Sequence, residues 1–342
     1  MQLEQTLRTL CALPAVSGFE MQAAHTVAEL FRPYCDTVDV DKNGNVIGSL
    51  SCGKEGAKTV LLDAHLDQIG FLVTEVLDGG FLRFAPVGGV DPRVVIGRPV
   101  RFGDVQGVIG IKAVHLTTAA ERRTMPKTKD LYIDIGAASK AAAEDKVSLG
   151  DYGVFDSAVV EFGDGLIKAK AIDDRVGCAA LLKLIEDEPP IDTWFCFTVQ
   201  EEVGLRGAAS MAYALDPGFA MVLEGTTAAD LAEVEGGKAV CRVRGGVVLP
   251  FMDGATIYDA ELFELMRNAC DKRGIRWQTK TRVAGGTDAG RIHKSRAGVR
   301  VCAAAAPVRY IHSPSSVAAV ADCEAVLAAA RAFLEELGGD DE

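Results

Sequence analysis

Two adjacent carboxylates, Glu201 and Glu202, end an apolar stretch of the sequence at a point where charge is costly. The preceding residues, 194–199, are aromatic, apolar or β-branched, which predicts a strand buried on both faces of a sheet. A carboxylate at the end of such a strand must be solvated, paired or bound to a cation. Taken alone, the pair is explained as well by a polar strand end in solvent, so its meaning depends on how other strands end.

His65 and Asp67 follow a second predicted strand, over residues 59–63. In an extended chain these two side chains point to the same side, so the carboxylate can lie beside the imidazole ring. A metal-bound imidazole usually has such a partner on its other nitrogen. The pattern therefore indicates either a metal ligand oriented by Asp67 or a satisfied surface histidine.

Three further residues of ligand type occupy similar positions in the sequence. Asp173, Glu224 and His312 each lie at or just beyond the C-terminal end of a predicted strand. These strands are predicted over residues 167–172, 219–223 and 299–304. Asp173 is followed by Asp174, and one aspartate suffices to cap the helix predicted over 175–187, which leaves the other free to act as a ligand.

These strand ends are expected to meet, because ligands of an open α/β sheet bind at the carboxyl ends of its strands. Nitrogen and oxygen ligands without thiolate suit zinc, cobalt or manganese. Five ligands are too many for one catalytic zinc, but they suit two metals that share a carboxylate and a bridging hydroxide. The ligands of this hypothesis are His65, Asp173, Glu202, Glu224 and His312. Glu201 remains beside a ligand, in the position of a general base.

Composition excludes several classes of partner and compartment. The formal net charge of the 342 residues is -12, which argues against a nucleic acid or an anionic membrane as partner. Nine widely spaced cysteines without a CxxC motif indicate free thiols in a reducing compartment. The N-terminus has no basic segment followed by an apolar core, and no apolar run reaches about 18 residues, so we expect a cytoplasmic protein.

The residue pattern changes between 69 and 162, where short strand-like runs alternate with glycine turns. We interpret 69–162 as a β-rich domain inserted into an α/β catalytic domain made of 1–68 and 163–342. The expected fold is a mixed central sheet flanked by helices. Ser17 and Glu20 form a capping-box pattern that predicts a helix start, and the acidic tail, 338–342, is expected to fray.

Five separated motifs resemble the M42 family of metallo-aminopeptidases, which contains glutamyl aminopeptidase and the TET peptidases. The likeness covers nearly the whole chain, including the insert. The motifs are AHLDQIGF (64–71), AIDDRVG (171–177), VQEEVG (199–204), GGTDAG (285–290) and YIHSP (310–314). The resemblance implies a co-catalytic zinc exopeptidase fold with a PDZ-like or barrel-like insert that serves oligomerisation, and self-assembly, commonly into dodecamers.

The resemblance also implies a role for each site residue. His65 and Glu224 would be private ligands of one metal, Glu202 and His312 of the other, and Asp173 would bridge the two. Glu201 would be the general base and Asp67 the residue that orients His65. Glu224 departs from the family pattern, where aspartate is common, so its longer side chain puts the distance and preference of that metal in question. The implied reaction is hydrolysis of the N-terminal residue from short peptides.

Other functions remain open from the residues alone. An N-acyl amino acid deacylase would use the same metal pair, and assays on both substrate types separate the two. A glycosidase using Glu201 and a second carboxylate needs no metal. A non-catalytic scaffold is disfavoured because all seven site positions carry competent residues. Substrate preference is also open: Arg242, Arg291 and Arg309 are cations that could favour acidic substrates, but the sequence places none of them in a pocket.

Overall fold

The strands of the protein are seen in a computed structural model that describes residues 2–283 and 285–339. In chain order they are β1 (Thr37–Val40), β2 (Val46–Leu50), β3 (Thr59–His65), β4 (Gly70–Val76), β5 (Leu82–Val87), β6 (Pro99–Phe102), β7 (Val105–Ile111), β8 (Leu131–Asp134), β9 (Tyr152–Phe155), β10 (Val160–Phe162), β11 (Leu166–Ala169), β12 (Asp192–Thr198), β13 (Phe219–Thr227), β14 (Val247–Val248), β15 (Trp277–Gln278), β16 (Arg300–Val308) and β17 (Ser316–Ala319).

The α-helices of the described residues lie between and around these strands. They are α1 (Leu3–Ala12), α2 (Met21–Phe31), α3 (Pro92–Val95), α4 (Lys140–Glu144), α5 (Ile172–Ile185), α6 (Arg206–Leu215), α7 (Ala260–Arg273), α8 (Ala289–Ile292) and α9 (Val320–Gly339). No helix in the described ranges combines the length and apolar character needed to cross a bilayer.

The central sheet has eight strands in the order β1-β2-β12-β3-β13-β16-β14-β15. Its middle strands β12, β3, β13 and β16 are parallel neighbours, whereas β2 and β14 pair with them antiparallel. The carboxyl ends of the four parallel strands therefore meet at one edge. The predicted α/β class with a mixed central sheet is confirmed.

Helices cover both faces of this sheet, and the strand residues alternate between them because successive side chains point to opposite faces. Leu62 of β3 and Leu223 of β13 pack with the layer of α1, α2, α5, α7 and α9. Their neighbours Leu61 and Val222 pack instead against α6 and α8. Strands buried on both faces explain the continuous apolar runs of the sequence.

Residues between β4 and β9 form a closed barrel in the strand order β4-β5-β8-β7-β6-β9. The barrel has its own apolar core, which includes Phe71, Leu82 and Ile133 and is separate from the core of the central sheet. Two of the strand-like runs in this part of the sequence, over 70–76 and 105–111, coincide with β4 and β7. The division into domains 1–68 with 163–342, and 69–162, stays a prediction.

Three local predictions differ from the structure. The strand before Asp173, β11, belongs to a separate antiparallel sheet of β10, β11 and β17, because β11 pairs with β17 rather than with the central strands. The amphipathic pattern of 317–337 predicts a final helix from 317, but this helix begins later, since 316–319 form β17. Ser17 does not cap α2, whose N-cap is Glu20. Residues 340–342 of the tail predicted to fray lie outside the described residues.

Candidate active site

Four strands of the central sheet deliver four of the predicted ligands to one edge. His65 is the last residue of β3, and Glu224 lies in β13, three residues before its end. Glu202 and His312 each come four residues after a strand, β12 and β16. Asp173 arrives differently: it lies in the first turn of α5, after the strand of the separate sheet. The site thus combines a sheet edge with a helix N-terminus.

Two groups among the described residues have the geometry to hold a metal ion, and they share Asp173. In the first, Nε2 of His65 lies 3.4 Å from Oδ1 of Asp173 and 3.2 Å from Oε1 of Glu224. In the second, Nε2 of His312 lies 3.5 Å from Oδ2 of Asp173 and 3.1 Å from Oε2 of Glu202. Each oxygen of Asp173 therefore faces one group.

The buried carboxylates of these two groups favour a positive charge between them. Burial by itself would lower the pKa of His312, but Asp173 and Glu202 raise it to about 11. Burial raises the pKa of Glu224 to about 8. Burial also acts to raise the pKa of Asp173, but the two histidines outweigh it and hold that pKa below its ordinary value. Buried carboxylates without a cation are costly, so this donor set of imidazole nitrogens and carboxylate oxygens fits divalent ions such as zinc, cobalt or manganese.

Glu201 lies beside both groups without belonging to either of them. Its Oε2 is 3.9 Å from Nε2 of His65, and its side chain lines the same cavity. Burial raises the pKa of Glu201 well above its ordinary value; His65 opposes this rise and Glu224 adds to it. A carboxylate with a raised pKa that lines a cavity beside possible metal ligands is suited to accept and return a proton.

Asp67 is completely buried beneath His65. Its Oδ1 lies 3.4 Å from Nδ1 of His65 and accepts a hydrogen bond from the backbone N–H of Glu201 at 2.9 Å. Its Oδ2 accepts from the backbone N–H of Glu202 at 3.2 Å and from the hydroxyl of Ser17 at 2.6 Å. This contact explains why Ser17 does not cap α2, since its hydroxyl is used to hold Asp67.

Two glycines that the sequence analysis did not single out shape the site. The carbonyl of Gly89, in the loop after β5, lies 3.2 Å from Nδ1 of His312, and a Cβ at Gly89 would come within 2.8 Å of that nitrogen. A Cβ at Gly225 would lie 3.0 Å from the Cα of Asp173. Side chains at these positions would displace ligand residues, so glycine is required by close approach. No sequence motif marks the position of Gly89.

A cavity of about 390 Å³ contains the site, a volume within the range of small-molecule binding sites. Its other walls come from 226–227, 285–287 and single apolar residues, including Val240. One lysine, Lys280, also lines it, and the side chain is 9% exposed. None of Arg242, Arg291 and Arg309 is among the lining residues, and Arg309 pairs with Asp230 at 2.6 Å. The sequence analysis missed Lys280, which no motif surrounds.

The sequence matches one family model over most of its length: the model described as M42 glutamyl aminopeptidase covers residues 44–328. The chain belongs to the M42 family. It is therefore a peptide-hydrolysing enzyme, and the predicted resemblance is confirmed. Membership of this metallopeptidase family implies the use of divalent metal, in agreement with the two ligand groups of the site.

Named aminopeptidases are similar to the chain over almost its whole length. A putative aminopeptidase of Acetivibrio thermocellus is 36% identical, over 92% of this chain and 93% of its own. The lysyl aminopeptidase of Pyrococcus furiosus is 30% identical, over 97% of each chain. Since the family model is named for glutamyl and this relative for lysyl aminopeptidase, membership alone does not give the preferred N-terminal residue.

Solved structures of two peptidases share the fold. The aminopeptidase APDkam598 of Desulfurococcus kamchatkensis superimposes with a TM-score of 0.93 and is 34% identical, over 98% of this chain and 95% of its own. The TET1 peptidase of Pyrococcus horikoshii, which can assemble into a tetrahedron or a large octahedral shell, has a TM-score of 0.84 at 30% identity, over 97% of this chain and 98% of its own. The predicted fold class is thereby confirmed.

Proposed function

We propose that the protein is a two-metal aminopeptidase that removes the N-terminal residue from short peptides. The observation that carries this proposal is the pair of ligand groups that share Asp173 inside one cavity. A single catalytic metal does not need five such ligands, whereas two metals sharing one carboxylate use all of them. Membership of the M42 family supplies the choice of aminopeptidase among hydrolases that use such a pair.

In this proposal His65 and Glu224 hold one metal, Glu202 and His312 hold the other, and Asp173 is common to both. The distances within the two groups, 3.1 to 3.5 Å between nitrogen and oxygen atoms, support this division. Bound divalent ions supply Lewis-acid chemistry, since they lower the pKa of water and polarise a carbonyl.

Glu201 and Asp67 complete the proposed machinery. Glu201 accepts a proton from the attacking water molecule and returns it to the leaving amine, a role supported by its raised pKa and its place beside the ligand groups. Asp67 orients the ring of His65 and, through its backbone hydrogen bonds, the turn that carries Glu201 and Glu202.

We further propose that 69–162 is an oligomerisation domain inserted into the catalytic domain of 1–68 and 163–342. Its separate barrel core and its exposed apolar side chains Val114, Leu116 and Met125 support this role. The TET1 peptidase can assemble into a tetrahedron or a large octahedral shell, and the resemblance points to a dodecamer. A cytoplasmic location is also part of the proposal, supported by nine free thiols.

A panel of aminoacyl-anilides, tested with zinc, cobalt and manganese in turn, tests the proposed function. Anilides with a free amino group should be cleaved, the corresponding N-acetyl amino acids should not, and exhaustive chelation should abolish activity. Faster cleavage of N-acetyl amino acids would favour a deacylase on the same metal pair. Full activity after chelation, or cleavage of glycosides by the metal-free protein, would overturn the proposal.

A further inference from the structure

Lys280 is a buried cation inside the cavity that contains the candidate active site. It lies two residues after β15, in a segment fixed by its neighbour: the backbone N–H of Thr281 donates to the carbonyl of Val240 at 2.9 Å. The hydroxyl of Thr281 donates to the carbonyls of Gly237 and Val240, at 2.6 and 3.0 Å. Since Val240 also lines the cavity, this segment forms part of its wall.

The ammonium group of Lys280 has no hydrogen-bond acceptor and no carboxylate partner within residues 2–283 and 285–339, although its side chain is only 9% exposed. Lysine is almost never buried without a partner, because an ammonium group loses its hydration there. Other cations near the site are paired or bonded: Arg309 contacts Asp230, and Lys170 donates to Oε1 of Gln68 at 3.0 Å. Lys280 therefore presents an unused positive charge to the cavity.

The carboxylates of the site do not need this charge once metals are bound. Four of them line the cavity, Asp173, Glu201, Glu202 and Glu224. Divalent cations at the two ligand groups would compensate these carboxylates. Lys280 would then face the cavity without a counter-ion, since the rest of the described wall, including Thr226, Val240 and Thr287, carries no anion.

We propose that Lys280 determines specificity by pairing with the acidic side chain of an N-terminal glutamate or aspartate in the substrate. This inference rests on the proposed aminopeptidase function and deepens it by naming the substrate class. An ion pair inside a largely buried cavity is less screened by solvent than one on an exposed surface. The same charge disfavours lysyl and arginyl substrates, whose cations would meet Lys280 without a counter-ion.

The test compares kcat/KM for glutamyl-, aspartyl-, leucyl- and lysyl-anilides in wild type, Lys280→Met and Lys280→Glu. Wild type should prefer the acidic substrates over the leucyl substrate by about 10- to 100-fold, the effect of one charge-assisted contact. Lys280→Met should lose this preference, because its KM for the acidic substrates should rise far more than its KM for the leucyl substrate, and its melting temperature should stay near that of wild type. Lys280→Glu should gain activity on the lysyl substrate.

Arg242→Met is the matched control, because it removes one exposed positive charge from the same region without touching the cavity. It should keep the acidic preference of wild type. Equal losses on glutamyl and leucyl substrates in Lys280→Met would overturn the inference and assign Lys280 to support of the site. A wild type that cleaves leucyl or lysyl substrates as well as glutamyl substrates would overturn it too.

A second measurement separates this inference from the proposed function. If no anilide is cleaved with any metal, the aminopeptidase proposal fails, but binding still tests Lys280. Calorimetric titration of the metal-loaded protein with free glutamate and free lysine should then show tighter binding of glutamate, lost in Lys280→Met. Equal binding of the two amino acids by wild type would overturn the role of Lys280.

Discussion

The carboxylate of Asp67 accepts a hydrogen bond from the backbone N–H of Glu201 at 2.9 Å, although 134 residues separate them in the chain. The same carboxylate lies 3.4 Å from the ring of His65. The parallel pairing of β3 and β12 makes this contact possible, because it aligns His65 with Thr198. One buried side chain thus couples the motif that ends β3 to the turn that carries both glutamates.

The first prediction concerns Glu201→Gln. Glutamine keeps the size of the side chain but cannot accept a proton from the attacking water molecule. Activity on any aminoacyl-anilide should therefore fall by about 10²-fold or more. The metal content, measured by elemental analysis, should stay near that of wild type, whereas Glu202→Gln should lose metal. If Glu201→Gln loses its metal and Glu202→Gln retains it, the roles of the two glutamates are reversed.

Asp67→Asn should weaken metal binding by about 10- to 100-fold, the usual effect of removing the partner of a ligating histidine. The amide cannot accept hydrogen bonds with both ends, so it also disturbs the backbone N–H contacts of Glu201 and Glu202. Competition with a chelator measures the affinity. Ser17→Ala is the control: it removes one contact to Asp67 but leaves its charge, and it should have a smaller effect. An unchanged affinity in Asp67→Asn would contradict the orienting role.

The buried side chain of Lys170, which has no role in the proposed reaction, should make the free energy of unfolding depend on pH. Burial lowers the pKa of Lys170 from 10.5 to about 7, and Arg175 adds to this effect. Between these values the unfolded chain holds a proton that the folded chain releases, so the free energy of unfolding rises with pH. Lys170→Met should remove this rise.

Chemical denaturation of both proteins at several values between pH 7 and pH 10 measures the difference. Lys168→Met serves as the matched control, because Lys168 is only half-buried and lies on β11, two positions before Lys170. This control should follow the pH dependence of wild type. Parallel curves for Lys170→Met and wild type would show that Lys170 stays protonated in the folded protein.

The double substitution Val114→Asp with Leu116→Asp should reduce the size of the assembly. Their side chains are 69% and 60% exposed in the segment between β7 and β8, and apolar side chains exposed to this degree favour contact with another subunit. Light scattering coupled to gel filtration measures the mass. Tyr213→Asp, at an equally exposed position outside the barrel, should retain the wild-type mass. An unchanged mass in the double variant would show that Val114 and Leu116 do not form the contact between subunits.

Local patterns predicted much of this protein because buried strands leave a strong signal in the sequence. The run before Glu201 has the composition of a strand covered on both faces, and β12 has that environment. The approximate bounds of β3, β12 and β13 follow from such runs, and ligand residues near their ends could be selected as candidates. The helix-cap interpretation of Ser17 was wrong because a nonlocal partner, Asp67, takes its hydroxyl.

The α/β class, the candidate ligands and the likeness to M42 peptidases follow from the sequence alone, because they depend on composition and on short motifs. The folded chain was needed to show that each oxygen of Asp173 faces a different histidine, that Gly89 of the barrel segment contacts His312, and that Lys280 lines the cavity. These relations depend on how distant segments pair and pack. Strand order and register carry that information, and local periodicity does not contain it.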